Sequence, residues 1–345
     1  LLLEAVRGDK NSLHSKITAA GLLVTLGIIY GDIGTSPLYV LKAIVGDLAI
    51  SREVVLGGVS CILWTLTLQT TFKYVILTLR ADNKGEGGIF SLYTLVRRAK
   101  VKWLFIPAII GGSALLADGI MTPSISVSSA VEGLRGVIPK INTVPIVLVI
   151  LTLLFFMQQF GTKFVGKSFG PVMFVWFAML GTLGASQLFG NWEILKAANP
   201  YYAYELLVCH PEGLWILGAV FLCTTGAEAL YSDLGHCGKK NVRATWGFVK
   251  TMLLINYFGQ GAWLLSHEGH LLAELEGGNP FFAIMPSWFL MTGIIISTAA
   301  AVVASQALIS ASYTLINEAM RLNFWPKVSI KYPTMQKGQM YIPSV

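Results

Sequence analysis

The chain has 345 residues, of which 54% are hydrophobic and only 12% are charged. Soluble globular domains carry about 25% charged residues, so this composition excludes that class. The 25 lysines and arginines outnumber the 18 acidic residues and give a net charge of +7. A positive balance can indicate a nucleic-acid partner, but the positions of these charges along the chain indicate a different role.

Long apolar segments recur along the chain, and each reaches or approaches the roughly 20 residues that a helix needs to cross a membrane. They predict an all-α polytopic membrane protein with eight spans, named span one to span eight in chain order. The spans occupy about 17–45, 54–79, 104–134, 144–160, 171–189, 213–233, 246–266 and 288–316. Residues 17–316 therefore form the predicted transmembrane core, and the lipid bilayer is its predicted partner.

Basic residues are concentrated in alternate segments between the spans. With the N-terminus in the cytoplasm, the segments on that side hold 18 lysines and arginines, and the opposite side holds four, namely Arg52, Arg135, Lys140 and Lys196. This bias follows the positive-inside rule. It predicts a multi-pass cell-membrane protein whose segment 1–16, loop 80–103 and final segment 317–345 are cytoplasmic. Because orientation accounts for the basic residues, no nucleic-acid partner is predicted.

The cytoplasmic loop 80–103 contains a short helical pattern. Gly85-Glu86-Gly87-Gly88 precedes apolar residues at positions 89, 92, 93 and 96. This spacing predicts an amphipathic helix that lies on the inner membrane surface. Glu86 is interpreted as an acid favoured by the helix dipole, and a gating or structural role stays open for it.

Two of the spans are interrupted by polar, glycine-containing segments. In span one, Gly31-Asp32-Ile33-Gly34-Thr35-Ser36-Pro37 breaks the helix, and Gly34 and Pro37 are expected to free backbone groups toward a cavity. Thr224-Thr225-Gly226-Ala227-Glu228 interrupts span six in a similar place. Since an odd spacing of five spans gives opposite topology, the pair indicates an inverted-repeat transporter. Eight spans cannot complete two five-span repeats, so the chain is expected to end before the second repeat is finished.

Three acidic residues, Asp32, Asp118 and Glu228, lie well inside their spans. A carboxylate near the bilayer centre costs roughly 2.5–3.5 kcal/mol and marks a functional site by default. No lysine or arginine is expected at matching depth, because Lys42 and Lys73 lie near span ends, where their side chains can snorkel to the surface. Unpaired carboxylates must then protonate or bind a cation. The sequence therefore predicts a site for protons and a monovalent cation.

Hydroxyl side chains accompany each of these acids. Asp118, Thr122, Ser126 and Ser129 follow one another at helical spacing and share one helix face. The other hydroxyl groups near the acids belong to Thr35, Ser36, Tyr39, Thr225 and Ser232. Hydroxyl and carbonyl oxygens would complete the oxygen shell that suits a weakly hydrated alkali ion. For Thr122, Ser126 and Thr225, cation ligation and bonding to their own backbone stay equally open.

Enzyme and channel motifs are missing from the sequence. Residues 266–270 place the second histidine one residue too early for the HExxH zinc motif, and there is no GxSxG motif and no P-loop. The TVGYG filter of potassium channels is also missing. The sequence predicts neither an enzyme nor a cofactor, and its widely spaced cysteines are interpreted as packing residues.

Several motifs are similar to those of one known family. Gly31-Asp32-Ile33-Gly34-Thr35-Ser36-Pro37-Leu38-Tyr39 resembles the hallmark of the KUP/HAK/KT potassium-uptake permeases, and so do the segments 80–88, 117–134, 224–233 and 338–343. The resemblance implies a LeuT-like fold of the amino acid–polyamine–organocation superfamily, with about twelve spans, of which this chain would hold about eight. It also implies uptake of K⁺ together with H⁺, a cytosolic C-terminal domain and a homodimer formed through that domain.

The resemblance also implies roles for particular residues. Positions that hold the ion or the proton in family members correspond to Asp32, Tyr39, Asp118, Thr122, Ser126, Thr225 and Glu228. Our hypothesis places K⁺ at Asp32, with Asp118 alongside and neutral oxygens from Tyr39, Thr122, Ser126 and Thr225, and gives proton coupling to Glu228 and Asp118. Gly119 departs from the wider family, because some relatives carry tyrosine there, so no hydroxyl ligand is expected at this position.

Other functions stay open at this stage. An amino-acid permease of the same superfamily is disfavoured, because the three acids would repel a substrate carboxylate, but a polyamine permease is compatible with them. A potassium channel would need the filter that is missing, and a membrane sensor would bind the ion without net flux. The favoured prediction is potassium import coupled to protons.

Overall fold

The computed structural model describes residues 17–83, 85–97, 101–138, 140–160, 166–275, 278–332 and 340–344. Within these ranges, the secondary structure consists of helices and three isolated β-bridges. Five of the described helices are long and apolar enough to cross a membrane, and a bent pair in span one brings the number to six. These features are those of an all-α polytopic membrane protein. The predicted N-terminal segment 1–16 lies outside the described residues.

Continuous helices form most of the predicted spans. Those of spans three, four, five, seven and eight run over Phe105–Glu132, Val144–Gln158, Gly166–Leu188, Lys239–Leu265 and Ser287–Arg321. Span four has only 15 residues, and span seven is long enough but carries three basic residues in its first five positions. Neither of them is among the six membrane-crossing candidates of the described chain. The total of eight spans therefore stays a prediction.

Shorter helices connect the spans. A helix over Ile89–Val96 lies where the amphipathic helix of loop 80–103 is predicted, and its place on the membrane surface stays a prediction. On the opposite side, the connection between spans five and six folds into a 3₁₀ helix over Trp192–Ala198 and an α-helix over Pro200–Cys209. A 3₁₀ turn over Leu272–Glu274 and a short helix over Pro280–Ala283 lead into span eight.

Exposed apolar side chains cover the outer faces of the spans. Ile120, Leu148 and Ile295 are each more than half exposed. Trp215 and Trp288, near the ends of spans six and eight, are 84% and 81% exposed. Apolar surface of this extent would be a liability in water but is normal against lipid, and tryptophan is enriched at membrane interfaces.

Span one is broken as predicted. Its first helix covers Ala19–Ile29, a short helix follows at Gly31–Thr35, and the remainder is a 3₁₀ turn over Ser36–Leu38 and a helix over Val40–Val45. The direction of the chain changes by 71° between Ala19–Ile29 and Gly31–Leu38. All five residues of Gly31–Thr35 are buried.

The backbone carbonyls around this break are bonded by side chains from elsewhere in the fold. Trp176 Nε1 donates to the carbonyl of Gly34 at 2.9 Å, Gln260 Nε2 to that of Pro37 at 3.0 Å, and Asn279 Nδ2 to that of Leu38 at 2.9 Å. A broken helix in a membrane needs such partners, because lipid offers none. These three carbonyls are therefore bonded within the protein, and the freeing of other backbone groups toward a cavity at Gly34 and Pro37 stays a prediction.

Span six is broken at the level of the first break. A helix over Gly213–Phe221 and a 3₁₀ turn over Leu222–Thr224 lead to an extended Thr225 and to Gly226, whose φ is +84°. Short helices over Ala229–Ser232 and Leu234–Cys237 complete the segment. The two breaks touch directly, since Ser36 Oγ donates to the carbonyl of Leu222 at 3.1 Å.

Span two has an unusual winding. After an α-helix over Arg52–Thr65, it continues as a π-helix over Leu66–Leu77 and ends in a 3₁₀ turn over Thr78–Arg80. The hydroxyls of Thr71 and Thr78 donate to carbonyls five residues earlier, at 3.1 Å and 2.7 Å. These bonds match the i to i+5 pattern of a π-helix, which is common near functional sites.

Gly226 is a position where a side chain would disturb the contact between the two breaks. A Cβ atom there would lie 2.6 Å from Cβ of Asp32, and the positive φ adds strain for any L-residue. We expect Gly226→Ala to destabilise the protein by about 2 kcal/mol or more. Thermal unfolding of the purified intact protein measures this.

Gly218→Ala is the matched control, because it lies in the helix of the same span and a Cβ there would meet nothing within 4 Å. Its unfolding temperature should equal or slightly exceed that of the wild type. Equal unfolding temperatures for both variants would contradict the close contact of the two breaks.

A candidate cation site between spans one, three and six

The three acids predicted from the sequence converge. One carboxylate oxygen from each of Asp32, Asp118 and Glu228 lies within 4.8 Å of the others. Asp32 stands in the first turn of the short helix after the span-one break, and Glu228 immediately precedes the helix that follows the span-six break. Asp118 lies in the middle of the continuous helix of span three. The two breaks therefore bring acids from distant parts of the chain against one unbroken helix.

The acids have few partners of their own. Asp32 is only 6% exposed, and both of its carboxylate oxygens are buried without a hydrogen bond, as is Oδ2 of Asp118. No lysine or arginine of the described residues forms an ion pair with any of the three acids. Three carboxylates this close in a low dielectric cannot all be ionised without a counter-charge. The arrangement must therefore hold protons, a cation or both.

Hydroxyl groups surround the acids. Thr122 Oγ1 donates to Oδ1 of Asp118 at 2.6 Å. The hydroxyls of Ser126 and Thr35 lie 3.3 Å apart and link span three to span one. Tyr39, another predicted ligand, has its hydroxyl 3.4 Å from that of Ser36. Neutral oxygen atoms are therefore available next to the acids, although their ligand roles stay predictions.

A cavity of about 540 Å³ reaches the site from one side. Asp118, Thr225 and Glu228 line it, whereas Asp32 does not. Gly88 and Ile89, at the start of the helix Ile89–Val96, line it as well. The cavity therefore joins two of the three acids to the loop 80–103.

Two lysines lie near this part of the fold, and the absence of basic residues at the depth of the acids stays a prediction. Lys73, expected to snorkel from a span end, lines the cavity together with Asp118 and Glu228. Lys250 of span seven, which the sequence did not single out, is half-buried and donates to the hydroxyls of Thr67 and Thr71 at 3.0 Å and 3.1 Å.

Lys42 does not reach the acidic site. Its ammonium lies 2.5 Å from a carboxylate oxygen of Glu132, at the end of span three. This ion pair ties the last helix of span one to span three, away from Asp32. Lys42 therefore leaves the charge balance of the three acids unchanged.

The loop that contains Glu86 is fastened to span six. The hydroxyl of Tyr231 donates to the carbonyl of Ala81 at 2.5 Å, and Asn83 and Glu86 form a β-bridge. A Cβ on Gly87 would collide with the carbonyl of Tyr231. Glu86 is exposed and is not one of the three converging acids, so its gating role stays a prediction.

A further ion pair holds this loop. Lys239, at the start of span seven, donates to Oδ1 of Asp82 at 2.5 Å, and the amide of Gly85 donates to Oδ2 of Asp82 at 2.8 Å. The bond from the Lys239 ammonium lowers the pKa of Asp82 below its usual value. The loop between spans two and three is thereby tied to spans six and seven.

The fold and the site together define a polytopic membrane protein with a cluster of three carboxylates between two broken helices. Comparison with known proteins identifies the family. Residues 19–345 match the family model described as the K+ potassium transporter integral membrane domain, and the chain belongs to this family.

The curated relatives are named as transport proteins rather than enzymes. The chain is 68% identical to the probable potassium transport system protein Kup of Flavobacterium psychrophilum, over 97% of the chain and 52% of the relative. It is 55% identical to the protein of the same name from Clostridium perfringens, over 98% of the chain and 53% of the relative. It is 54% identical to the one from Enterococcus faecalis, over 96% of the chain and 52% of the relative. The chain therefore spans about half the length of these relatives.

Asp82→Asn is expected to loosen the loop 81–88. The pKa of Asp82 is lower in the folded protein than in the unfolded chain. The ion pair therefore stabilises the fold fully above the usual aspartate pKa of about 3.9. This stabilisation is lost as the pH falls through the lower pKa of the folded protein. Both side chains are partly exposed, so the effect should stay below about 1 kcal/mol. Hydrogen exchange at the amides of Asn83 and Glu86 should be faster than in the wild type at neutral pH, and this difference should shrink below about pH 4.

The double variant Asp82→Asn/Lys239→Gln serves as the control. If the ion pair causes the effect, the second substitution adds little to the first. Additive acceleration of exchange would mean that the two residues act independently.

Proposed function

We propose that this chain forms the membrane part of a potassium importer that carries K⁺ and H⁺ together into the cell. The observation that carries the proposal is the convergence of Asp32, Asp118 and Glu228 within 4.8 Å, without a basic ion-pair partner in the described part of the chain. The names of the relatives support potassium as the transported ion. Oxygen ligands alone, with no sulfur or imidazole, suit an alkali cation.

The burial of the three acids suggests which of them binds K⁺ and which of them carry the proton. Asp32 is the most enclosed, stands next to the hydroxyls of the span-one break and is assigned to K⁺. Tyr39, Thr122, Ser126 and Thr225 then supply neutral oxygens. Asp118 and Glu228 line the cavity, where a proton can exchange with water, and are assigned to proton coupling. Because the two acids lie close together, they share their protons as a pair.

Proton coupling has an energetic reason. Each positive charge that enters the cell gains about 2.3 kcal/mol per 100 mV of membrane potential. Carrying H⁺ with K⁺ roughly doubles the free energy gained from the membrane potential in each transport cycle, and the pH gradient adds a further contribution. Such a protein can take up K⁺ from a dilute medium.

The proposal includes the architecture and orientation. Broken spans one and six that meet at their breaks support a LeuT-like inverted repeat. The basic loops support a cytoplasmic N-terminus, and the cavity at loop 80–103 then opens toward the cytoplasm. A homodimer through a cytosolic domain is carried over from the family resemblance and belongs to the whole protein.

A polyamine permease is the second candidate. A cavity of about 540 Å³ with Asp118 and Glu228 on its wall has room for a diamine, which is larger than K⁺. Competition by putrescine separates the two functions. If the protein is a potassium importer, putrescine should leave Rb⁺ uptake unchanged. If it is a polyamine permease, Rb⁺ uptake should fall as the putrescine concentration rises.

Asp32→Asn should remove most Rb⁺ uptake by the intact protein. The substitution retains the size of the side chain but deletes the charge in the most buried part of the site. Because a buried cation loses its full counter-charge, uptake at low Rb⁺ should fall by about 100-fold or more.

Asp47→Asn is the matched control, since Asp47 is exposed at the end of span one and should be neutral. Expression and unfolding temperature of both variants are compared to exclude misfolding. Wild-type uptake by Asp32→Asn would remove Asp32 from the cation site.

Proton coupling is tested by Rb⁺ uptake in proteoliposomes with and without a protonophore, at a clamped membrane potential. We expect an inward pH gradient to accelerate the wild type and the protonophore to abolish this acceleration. Glu228→Gln should transport with little response to the pH gradient, because it cannot release a proton. Uptake by the wild type that ignores the gradient would favour a channel.

A further inference from the structure

The cavity has a single basic residue on its described wall, Lys73 of span two. Its side chain is exposed toward this space, and its ammonium nitrogen lies 5.1 Å from the ring centroid of Tyr74, another cavity residue. No ion pair of the described residues includes Lys73. An ammonium without an acidic partner therefore shares one cavity with the carboxylates of Asp118 and Glu228.

Span two forms part of the wall of the cavity. Gln69, Lys73 and Thr78 all line it. On an α-helix of about 3.6 residues per turn, the nine steps from Gln69 to Thr78 make about two and a half turns, which would place these two residues on opposite faces. The π-helix over Leu66–Leu77 has wider turns and brings both residues to the same face after roughly two turns. Lys73 follows Gln69 by four residues, about one turn, and shares its face in either winding, so the π-helix accounts for Thr78 and not for Lys73 on the cavity wall.

The chemistry of lysine suits an exchangeable counter-charge. Its ammonium is a compact charge on a flexible four-carbon stem, so it can move toward or away from an acid without any backbone change. A lysine fixed in an ion pair, such as Lys42 with Glu132, lacks this freedom. Lys73 contacts an aromatic ring, a weaker partner that it can leave readily.

We propose that Lys73 is a competing counter-ion that promotes release of the transported cation into the cavity. This inference rests on the proposed function. While K⁺ occupies the three acids, its charge repels the ammonium of Lys73. When K⁺ leaves, the ammonium approaches Glu228 and Asp118 and replaces it as their partner. Lys73 thereby lowers the affinity of the site for a cation on the cavity side and prevents immediate rebinding.

The test measures Rb⁺ binding to the purified intact protein and Rb⁺ uptake into proteoliposomes. Lys73→Gln should bind Rb⁺ about fivefold more tightly, because one positive charge near the site is gone. Its maximal uptake rate should fall, since release becomes slower. Lys73→Arg retains the charge and should stay close to the wild type in both measurements.

Lys250→Gln is the matched control. Lys250 is also a lysine at membrane depth, but it is bonded to threonine hydroxyls and does not line the cavity. Glutamine can still donate to these hydroxyls, so Rb⁺ affinity should not change. Tighter binding in this variant as well would point to a general effect of charge and overturn the specific role of Lys73.

The remaining outcomes also decide the matter. Unchanged Rb⁺ affinity in Lys73→Gln, with wild-type transport intact, overturns the inference and leaves the proposed function standing. Weaker binding overturns it too, because it would mean that Lys73 supports the site instead of competing with the cation. Wild-type protein that neither binds nor carries Rb⁺ would overturn the proposed function, and this inference with it.

Discussion

Mutual repulsion of buried carboxylates is the constraint on which the rest of this structure depends. Asp32, Asp118 and Glu228 place oxygens within 4.8 Å of one another at membrane depth, and the described residues offer them no basic ion-pair partner. Such a cluster is stable only when protons or a cation reduce its charge. A cation and a proton bound together each offset part of this negative charge, so the occupied cluster favours carrying both, which is the physical basis of the proposed symport.

The two helix breaks that build the site are supported differently. Around the span-one break, three backbone carbonyls accept hydrogen bonds from the side chains of Trp176, Gln260 and Asn279. These bonds hold the backbone next to Asp32 in place. The span-six break turns at Gly226 and borders the cavity through Thr225 and Glu228. In the proposed mechanism, the first break holds the ion, and the second, with the loop fastened to it, is the part that admits and releases it.

Hydropathy and spacing predicted much of this arrangement. Buried acids are costly and helix breaks need glycine or proline, so Asp32, Glu228 and the paired breaks could be identified from local sequence. The bonds of Trp176 and Gln260 could not, because they join residues more than 140 positions apart. The position of Lys73 on the cavity wall could not be predicted either, because several distant segments build that wall. The helix of span seven begins at Lys239, seven residues before the predicted start of the span at 246. Lys239, Lys240 and Arg243 lower the hydropathy of its first turns, so a hydropathy pattern misses them.

The central claim is that one alkali cation occupies the space between the three carboxylates. Anomalous X-ray diffraction from crystals of the intact protein grown in Rb⁺ tests it directly, because Rb⁺ scatters anomalously and lipid, water and protein oxygens do not. The account predicts one strong peak within ligand distance of Asp32, with hydroxyl oxygens of spans one and three around it. A peak elsewhere in the protein, together with an empty space between the three acids, would contradict it.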